Sequence, residues 1–300
     1  MSKACISLCN RKEQRTMANK KQIQPPQHQQ KQPGIESLMN PLPQFDQGYT
    51  GSGKLQGKYA LITGGDSGIG RAVAVAFAKE GAHVAIAYLD EHEDANETKR
   101  IVESQGVKCL LLAGDLSEET QCKNIVAQTV SQLGGLNILV NNIAQHYPCQ
   151  NLLELTADQW EKTFKINVFS YFCTTKAALP HMKAGDAIIN TTSITAYEGN
   201  EQLLDYSSTK GAIVTFTKSL AKSLMKQGIR VNGVAPGPIW TPLIPASFDS
   251  KKVSEFGSDS PMGRPGQPYE LAPAYVYLAS ADSSYVSGQM LHVNGGTIIG

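Results

Sequence analysis

From about Leu55 onward, short apolar runs alternate with stretches whose apolar positions recur every three or four residues. The runs are Tyr59-Ala60-Leu61-Ile62, His83 to Tyr88, Lys108 to Leu112, Leu136 to Val140, Ala187-Ile188-Ile189, Ile229 to Val234 and Met290 to Val293. Strands this apolar are buried on both faces, as in a parallel sheet covered by helices. Helical patterns lie between them: Arg71 to Glu80, closed by Gly81; Asp94 to Ser104; a helix through Ile125-Val126 to Leu133; and a long one through Phe169 to His181. Strand–helix alternation with right-handed crossovers predicts an α/β fold, a single doubly wound domain with a seven-stranded parallel sheet and helices on both faces.

The first fifty residues break this pattern. Gln22 to Gln32 (QIQPPQHQQKQ) is rich in Gln and Pro and has no apolar period, so residues 1–33 are expected to be a disordered tail. Residues 34–54, with scattered Pro, Gly and aromatics, are expected to lie as an extended arm on a body spanning 55–300. Met17 precedes the Gln-rich run and is a second candidate translation start.

Composition changes little in this picture: 41% hydrophobic and 18% charged residues suit a soluble globular protein. The net charge of +1 hides an asymmetry, since residues 1–33 hold seven Lys/Arg and one acid. The mildly acidic body offers no footprint for nucleic acid, and the basic tail is read as solvated. Six cysteines (Cys5, Cys9, Cys109, Cys122, Cys149, Cys173) show no pairing that suggests a disulfide framework or a zinc site. No metal is expected, and a reducing, cytoplasmic setting fits best. No apolar run approaches the roughly 18 residues of a membrane span, and Ala4 to Cys9 is too short for a signal-peptide core.

Between the first strand and first helix stands Thr63-Gly64-Gly65-Asp66-Ser67-Gly68-Ile69-Gly70. Gly64, Gly68 and Gly70 let the chain turn sharply and bring its backbone close to a pyrophosphate, which the following helix N-terminus would attract. Asp90 lies twenty residues beyond Gly70, where an acid accepts hydrogen bonds from a ribose 2′-hydroxyl. The acids around it (Asp90, Glu91, Glu93, Asp94) would repel a 2′-phosphate, and Arg71 is the one nearby cation to oppose them. The expected cofactor is therefore NAD, with NADP as the alternative. The same acids also suit the N-terminus of the next helix.

Tyr206 and Lys210 stand at i and i+4 of a helical segment, so both side chains share a face. A lysine ammonium beside a tyrosine stabilises the phenolate and is expected to lower its pKa from about 10 toward the operating range. Ser193 follows the fifth strand, placed to hydrogen-bond a substrate oxygen. Alone, such a Tyr/Lys pair is more often surface packing; joined to Ser193 and the glycine turn it reads as an acid/base.

With these motifs the chain resembles the short-chain dehydrogenase/reductase family over about residues 55–300. Five motifs agree in order: the glycine turn at 63–70, Asp115, Asn141-Asn142, Ser193 with Tyr206 and Lys210, and Pro236-Gly237. The resemblance implies a Rossmann-type dinucleotide-binding catalytic domain with Asn167, Ser193, Tyr206 and Lys210 as catalytic residues. It implies cofactor contacts from Gly64, Asp66, Ser67, Gly68, Ile69, Gly70, Tyr88, Leu89, Asp90, Asp115, Leu116, Asn142, Ile143, Ala144, Tyr206, Lys210, Pro236, Gly237, Ile239 and Thr241. Asp115 would meet the adenine, Asn141 would steady the central sheet, and Asn167 would hold a water linking Lys210 to solvent. Lys210 would also bind the nicotinamide ribose, and Ile239 and Thr241 the nicotinamide amide.

One departure stands out. The family usually has Asn-Asn-Ala-Gly where this chain has Asn141-Asn142-Ile143-Ala144, so the methyl of Ala144 would crowd the adenosine side slightly. Bacterial stress-associated and sugar-dehydrogenase-like members are the most similar in the run from the second strand and the extended arm. A homotetramer is also implied, consistent with the apolar helices through Phe169 to Ala178 and Ile213 to Leu224.

The expected activity is hydride transfer between NAD(H) and a small alcohol, aldehyde or ketone, with neither nucleic acid nor membrane as partner. The alternatives are an NADP-dependent carbonyl reductase, a non-catalytic dinucleotide sensor, and a nucleic-acid- or surface-binding protein acting through its basic tail. Specificity should come from Gln145-His146-Tyr147-Pro148 and from a lid at about 242–263, rich in Ser, Pro and Gly. His146 is a candidate contact to a polar substrate, although a lone loop histidine is more often incidental.

Overall fold

The alternation seen in the sequence becomes seven parallel strands in the order β3-β2-β1-β4-β5-β6-β7. They are β1 (Tyr59–Thr63), β2 (His83–Tyr88), β3 (Cys109–Ala113), β4 (Ile138–Asn141), β5 (Ala187–Thr191), β6 (Arg230–Pro236) and β7 (Met290–Val293). The computed structural model describes residues 21–298. Cys5, Cys9, Met17 and the first twenty residues of the basic tail lie outside the described residues.

Successive side chains of a strand point to opposite faces, and here each face has its own apolar layer. Ala60 and Ile62 of β1 join Val84 and Ile86 of β2 and the apolar side of α1 (Gly68–Lys79), with Leu271 and Tyr275 of a late helix (Pro268–Ala279). Leu61 and Ala85 face the other way, onto Ile125 and Leu133 of the helix Glu119–Leu133 and Ala221 of the helix Leu204–Leu224. This double covering is why the strands read as unbroken apolar runs.

The long helix expected through Phe169 to His181 is divided. Ala157–Phe164 is followed by a π-helical turn at Lys165–Phe169, then by Ser170–Ala178 and a 3-10 turn at Leu179–His181. Such π turns are frequent at functional sites, and this one carries Asn167. The helix at Leu204–Leu224 carries both Tyr206 and Lys210.

Residues 34–54 lie against the body, held by polar contacts. The indole N–H of Trp240 donates to the Pro41 carbonyl at 2.9 Å, and Lys79 pairs with Asp46 at 2.6 Å. The buried Glu80 receives the backbone N–H groups of Ser52 and Lys54, at 2.9 and 2.8 Å, and the Tyr49 hydroxyl.

The expectation of disorder through residue 33 is corrected for 21–33. The N–H groups of Ile23 and Gln24 donate to the Ser254 carbonyl (2.8 and 3.0 Å), and that of Gln29 to Pro245 (2.7 Å). The Gln29 amide also closes a pair of hydrogen bonds with the backbone of Ile35. Lack of apolar periodicity argues against a core, but glutamine amides satisfy backbone groups without one. The segment they bond to is the one expected as a lid, which includes the helix Ser250–Glu255 capped by Asp249. Trp240, Ile244, Phe248 and Val253 form a separate apolar cluster there with Met39 of the arm and Leu203. At Gly34 arm and lid approach so closely that a Cβ would stand 2.3 Å from the Pro242 carbonyl oxygen.

Burial opposes ionisation of Glu80, but the hydrogen bonds from Tyr49, Lys54 and Ser52 prevail and hold its carboxyl below the ordinary value of 4.5. Glu80→Ala, which leaves those donors unpaired, is expected to cost about 2–3 kcal/mol in denaturant unfolding. The contribution of a depressed carboxyl is full above its unfolded pKa and fades as the pH falls through the folded one. The gap between wild type and variant should therefore be widest above about pH 5 and narrow in acid.

Candidate active site

Because all seven strands run the same way, the loops leaving their carboxyl ends meet at one edge of the sheet, where the strand order reverses between β1 and β4. They open onto a single cleft of about 890 Å³. One end is lined by Gly64, Asp66, Ser67, Gly68 and Ile69 of the turn, with Tyr88, Leu89, Asp115 and Leu116. Asn142, Ile143, Ala144, Ser193, Tyr206, Lys210, Pro236, Gly237, Ile239 and Thr241 complete the lining, with Thr241 standing directly against the turn at Gly68.

The turn has the shape a dinucleotide requires. Gly64 and Gly68 adopt φ of +63° and +51°, in the left-handed region open to glycine. A Cβ on Gly70 would stand 1.7 Å from the Gly64 carbonyl oxygen. Gly70 therefore packs turn against helix and does not itself line the cleft, a correction to its expected role as a contact. The cleft and the bare glycine backbone leading into α1 fit a pyrophosphate-linked cofactor.

Asp90 is the second correction. Its side chain is about half exposed and pairs with Lys31 of the arm, while the next residue, Glu91, lines the cleft. Burial raises the Glu91 carboxyl well above the usual range. The hydrogen bond with Glu91, followed by that with Lys31, holds Asp90 below it. Sequence spacing located the acidic stretch but not which member turns inward, because a strand's last residue fixes direction only with its loop in place.

Arg71 is likewise not free to oppose the acids at the ribose end. It is buried, and donates to the carbonyls of Asp66 (3.1 and 2.9 Å) and Asp94 (3.0 Å), to Thr98 Oγ1 (2.7 Å) and to Glu36 of the arm. The second oxygen of Glu36 accepts the N–H of Gly68 at 2.5 Å, so an arm residue braces the glycine turn from behind. Burial pushes Glu36 up to about 7 and Asp66 up to about 6; Arg71 and local hydrogen bonds oppose both shifts. No sequence signal pointed to Glu36, whose partners lie 32 and 35 residues away.

Tyr206 sits on the first turn of its helix, fixed by the buried Asp205 before it. Asp205 accepts from the Tyr206 N–H (2.8 Å), from Thr163 Oγ1 (2.7 Å) and from the Gln159 amide (3.1 Å). Lys210 is buried, with its Nζ donating to the Thr191 carbonyl at 3.0 Å and lying 5.4 Å from the Tyr206 ring centre. The expected lowering of the phenol is not what the site gives. Burial pushes Tyr206 up to about 12 against a hydrogen bond from Ser193, and burial pushes Lys210 down to about 7. Both groups lose water, which disfavours the charged form of each.

Ser193 Oγ accepts from the Thr195 N–H and hydroxyl, each at 3.1 Å, and faces the cleft. Asn167 does not line it. Its buried amide pairs with both backbone groups of Gln145 at 2.9 Å and reaches Thr209 Oγ1 at 3.2 Å. Its side chain thus ties the loop after β4 to the Tyr206 helix and makes no contact with Lys210. Asn141 Nδ2 bridges to Asn190 (2.9 Å) and Thr175 (3.1 Å) across the central sheet. Residues the sequence did not flag also line the cleft: Gln32, Pro33 and Gly34 of the arm, and Asn200 and Gln202 beyond Ser193.

Among the described residues no cluster of His, Cys, Asp or Glu has the geometry of a metal site, and no helix is long and apolar enough to cross a membrane.

Comparison with known proteins agrees with this geometry. A family model described as Enoyl-(Acyl carrier protein) reductase matches residues 64–297. The chain is 63% identical over 277 residues to the Bacillus subtilis (strain 168) protein "Uncharacterized oxidoreductase YhdF", covering 92% of this chain and 96% of that one. It is 59% identical over 284 residues to general stress protein 39 of the same organism (94% and 99% covered). Glucose and ribitol dehydrogenase of Daucus carota is 53% identical over 282 residues (92% and 97%). A short chain dehydrogenase from Burkholderia cenocepacia J2315, solved in complex with NADP, superimposes with a TM-score of 0.76 at 30% identity, over 81% of this chain and 98% of that one.

Gly70→Ala is expected to weaken dinucleotide binding by at least about tenfold, or about 1.4 kcal/mol, read by calorimetric titration of the folded variant.

Proposed function

The chain belongs to the short-chain dehydrogenase/reductase family, and from that premise we propose that it transfers a hydride between NAD(H) and a small alcohol or carbonyl compound. The observation that carries this reading is the joining, in one cleft, of the glycine turn with Ser193, Tyr206 and Lys210. A sensor that only bound a dinucleotide would have no use for a buried phenol beside a buried lysine.

When bound, the dinucleotide supplies or accepts the hydride. Gly64 to Ile69, Asp115 and Asn142 to Ala144 would hold it, with Pro236 to Thr241 at the reactive end. The substrate oxygen would lie between the Ser193 hydroxyl and the Tyr206 phenol. With its pKa pushed up, Tyr206 is protonated at neutral pH and serves as proton donor in the reduction direction. In oxidation the same oxygen takes the proton back. Lys210, anchored on the Thr191 carbonyl, supplies positive charge beside the phenolate that forms. Asn167 acts through Gln145 and Thr209, setting the floor of the substrate site; a water link to Lys210 would have to use its backbone in the π turn.

Glu91, which lines the cleft after β2, can accept from a ribose 2′-hydroxyl and favours NAD, and Arg71, committed to Glu36, does not offer a 2′-phosphate a cation. A specific observation supports NADP as the second reading: Lys31 already neutralises part of that acidity, and the Burkholderia relative was solved with NADP. A homotetramer in a cytoplasmic setting completes the proposal, with Phe169, Phe172 and Trp160 exposed on neighbouring helices as its apolar face. Sedimentation equilibrium should return four times the chain mass of 32.3 kDa.

A panel of alcohols, aldehydes and ketones with NAD(H) and NADP(H), followed at the reduced-cofactor absorbance, tests the reaction; no turnover with any of them would sink it. Tyr206→Phe is expected to lower kcat by at least about a thousandfold while cofactor affinity stays within a few-fold. Turnover near wild type in that variant would remove Tyr206 as the acid/base.

A further inference from the structure

We infer that His146 determines specificity by hydrogen-bonding a hydroxyl next to the reacting carbon, so that the preferred substrates are hydroxyaldehydes and the corresponding polyols. This rests on the hydride-transfer reading of the same site.

His146 lines the cleft on the loop after β4 and is only 4% exposed. Its ring centre lies 5.1 Å from that of Tyr206 and 5.2 Å from that of Phe248, which it meets nearly edge-on at 87°. Neither ring nitrogen completes a hydrogen bond within the protein; the Leu243 carbonyl faces the ring without reaching full hydrogen-bonding geometry. Buried polar atoms are rarely left so, because desolvation without a compensating bond is costly. The ring is also not free to swing into solvent. The Gln32 amide of the N-terminal arm clamps the His146 backbone, donating to its carbonyl at 2.8 Å and accepting its N–H at 3.3 Å.

The chemistry of the missing partner follows from the ring's charge. Burial pushes the imidazole down to about 3, with Lys210 and Lys252 adding to the shift and only the Leu243 carbonyl opposing it. His146 is therefore neutral, one nitrogen a donor and the other an acceptor. A carboxylate or phosphate needs a cation, which a neutral ring is not. An alkyl group would leave both nitrogens unpaired. A hydroxyl, donor and acceptor at once, satisfies either nitrogen. Because the ring adjoins Tyr206, which faces the reacting oxygen, the hydroxyl it reads belongs to a carbon close to the one that changes oxidation state. The uncharged amides of Gln145, Asn200 and Gln202 extend the same polar wall.

The test compares DL-glyceraldehyde with propanal, similar in length but differing in hydroxyls, as substrates for reduction by the full chain. Wild type should favour glyceraldehyde in kcat/KM. His146→Leu should lower the glyceraldehyde-to-propanal ratio at least about tenfold, the scale on which a buried polar group discriminates. His146→Gln, which restores a donor and an acceptor, should hold the ratio within about threefold of wild type. It also guards against a leucine variant that folds poorly. An unchanged ratio in His146→Leu, or an equal loss for both aldehydes, overturns the role of His146 and leaves the hydride-transfer reading standing. Failure of wild type to turn over any alcohol or aldehyde overturns both.

Discussion

Parallel hydrogen bonding of the seven strands is the constraint on which everything else in this protein depends. It forces every strand's carboxyl end to one edge of the sheet and every crossover over a face. The reversal of order between β1 and β4 then splits the loops apart and opens the cleft. Residues as distant in sequence as Ser67, Asn142, Ser193 and Thr241 meet there because each follows a different strand. The apolar layers on the two faces hold that edge rigid, so the site inherits its geometry from the packing of the sheet.

Rigidity at the edge is purchased with buried polar groups. Glu36 and Arg71 brace the glycine turn, Asp205 fixes the start of the Tyr206 helix, and Asn167 ties that helix to the loop after β4. Each of these side chains touches a neighbour of a functional group and stands outside the reacting centre. Each is hydrogen-bonded, as burial demands. His146 and Glu91, which line the cleft, differ in keeping buried polar atoms without a hydrogen-bond partner. The N-terminal arm links these features, since Glu36 supports the phosphate end while Gln32 holds the loop that carries His146.

The protonation of the two central groups shows how burial reshapes what spacing suggests. An i,i+4 Tyr/Lys pair on an exposed helix would place an ammonium beside a phenol in water. Inside the cleft both are stripped of solvent, and desolvation favours the neutral form of each. A neutral phenol is the state a proton donor needs, so the burial that defeats the expected lowering is compatible with the proposed role of Tyr206.

The alternation of apolar runs and helical patterns, by itself, determined the parallel sheet, its seven strands and its helical layers, because strand and helix periods are local properties of the chain. Motif order pointed to the family and to cleft residues such as Ser67, Asn142, Ser193 and Tyr206, because a turn, a strand end and a helix face each carry a short signature. Tertiary structure alone decided the rest. It turned Glu91 inward and paired Asp90 with Lys31, engaged Arg71 with Glu36, and laid a Gln-rich segment along the lid. These outcomes depend on groups tens to hundreds of residues apart competing for the same few hydrogen-bond partners. No local window contains that competition.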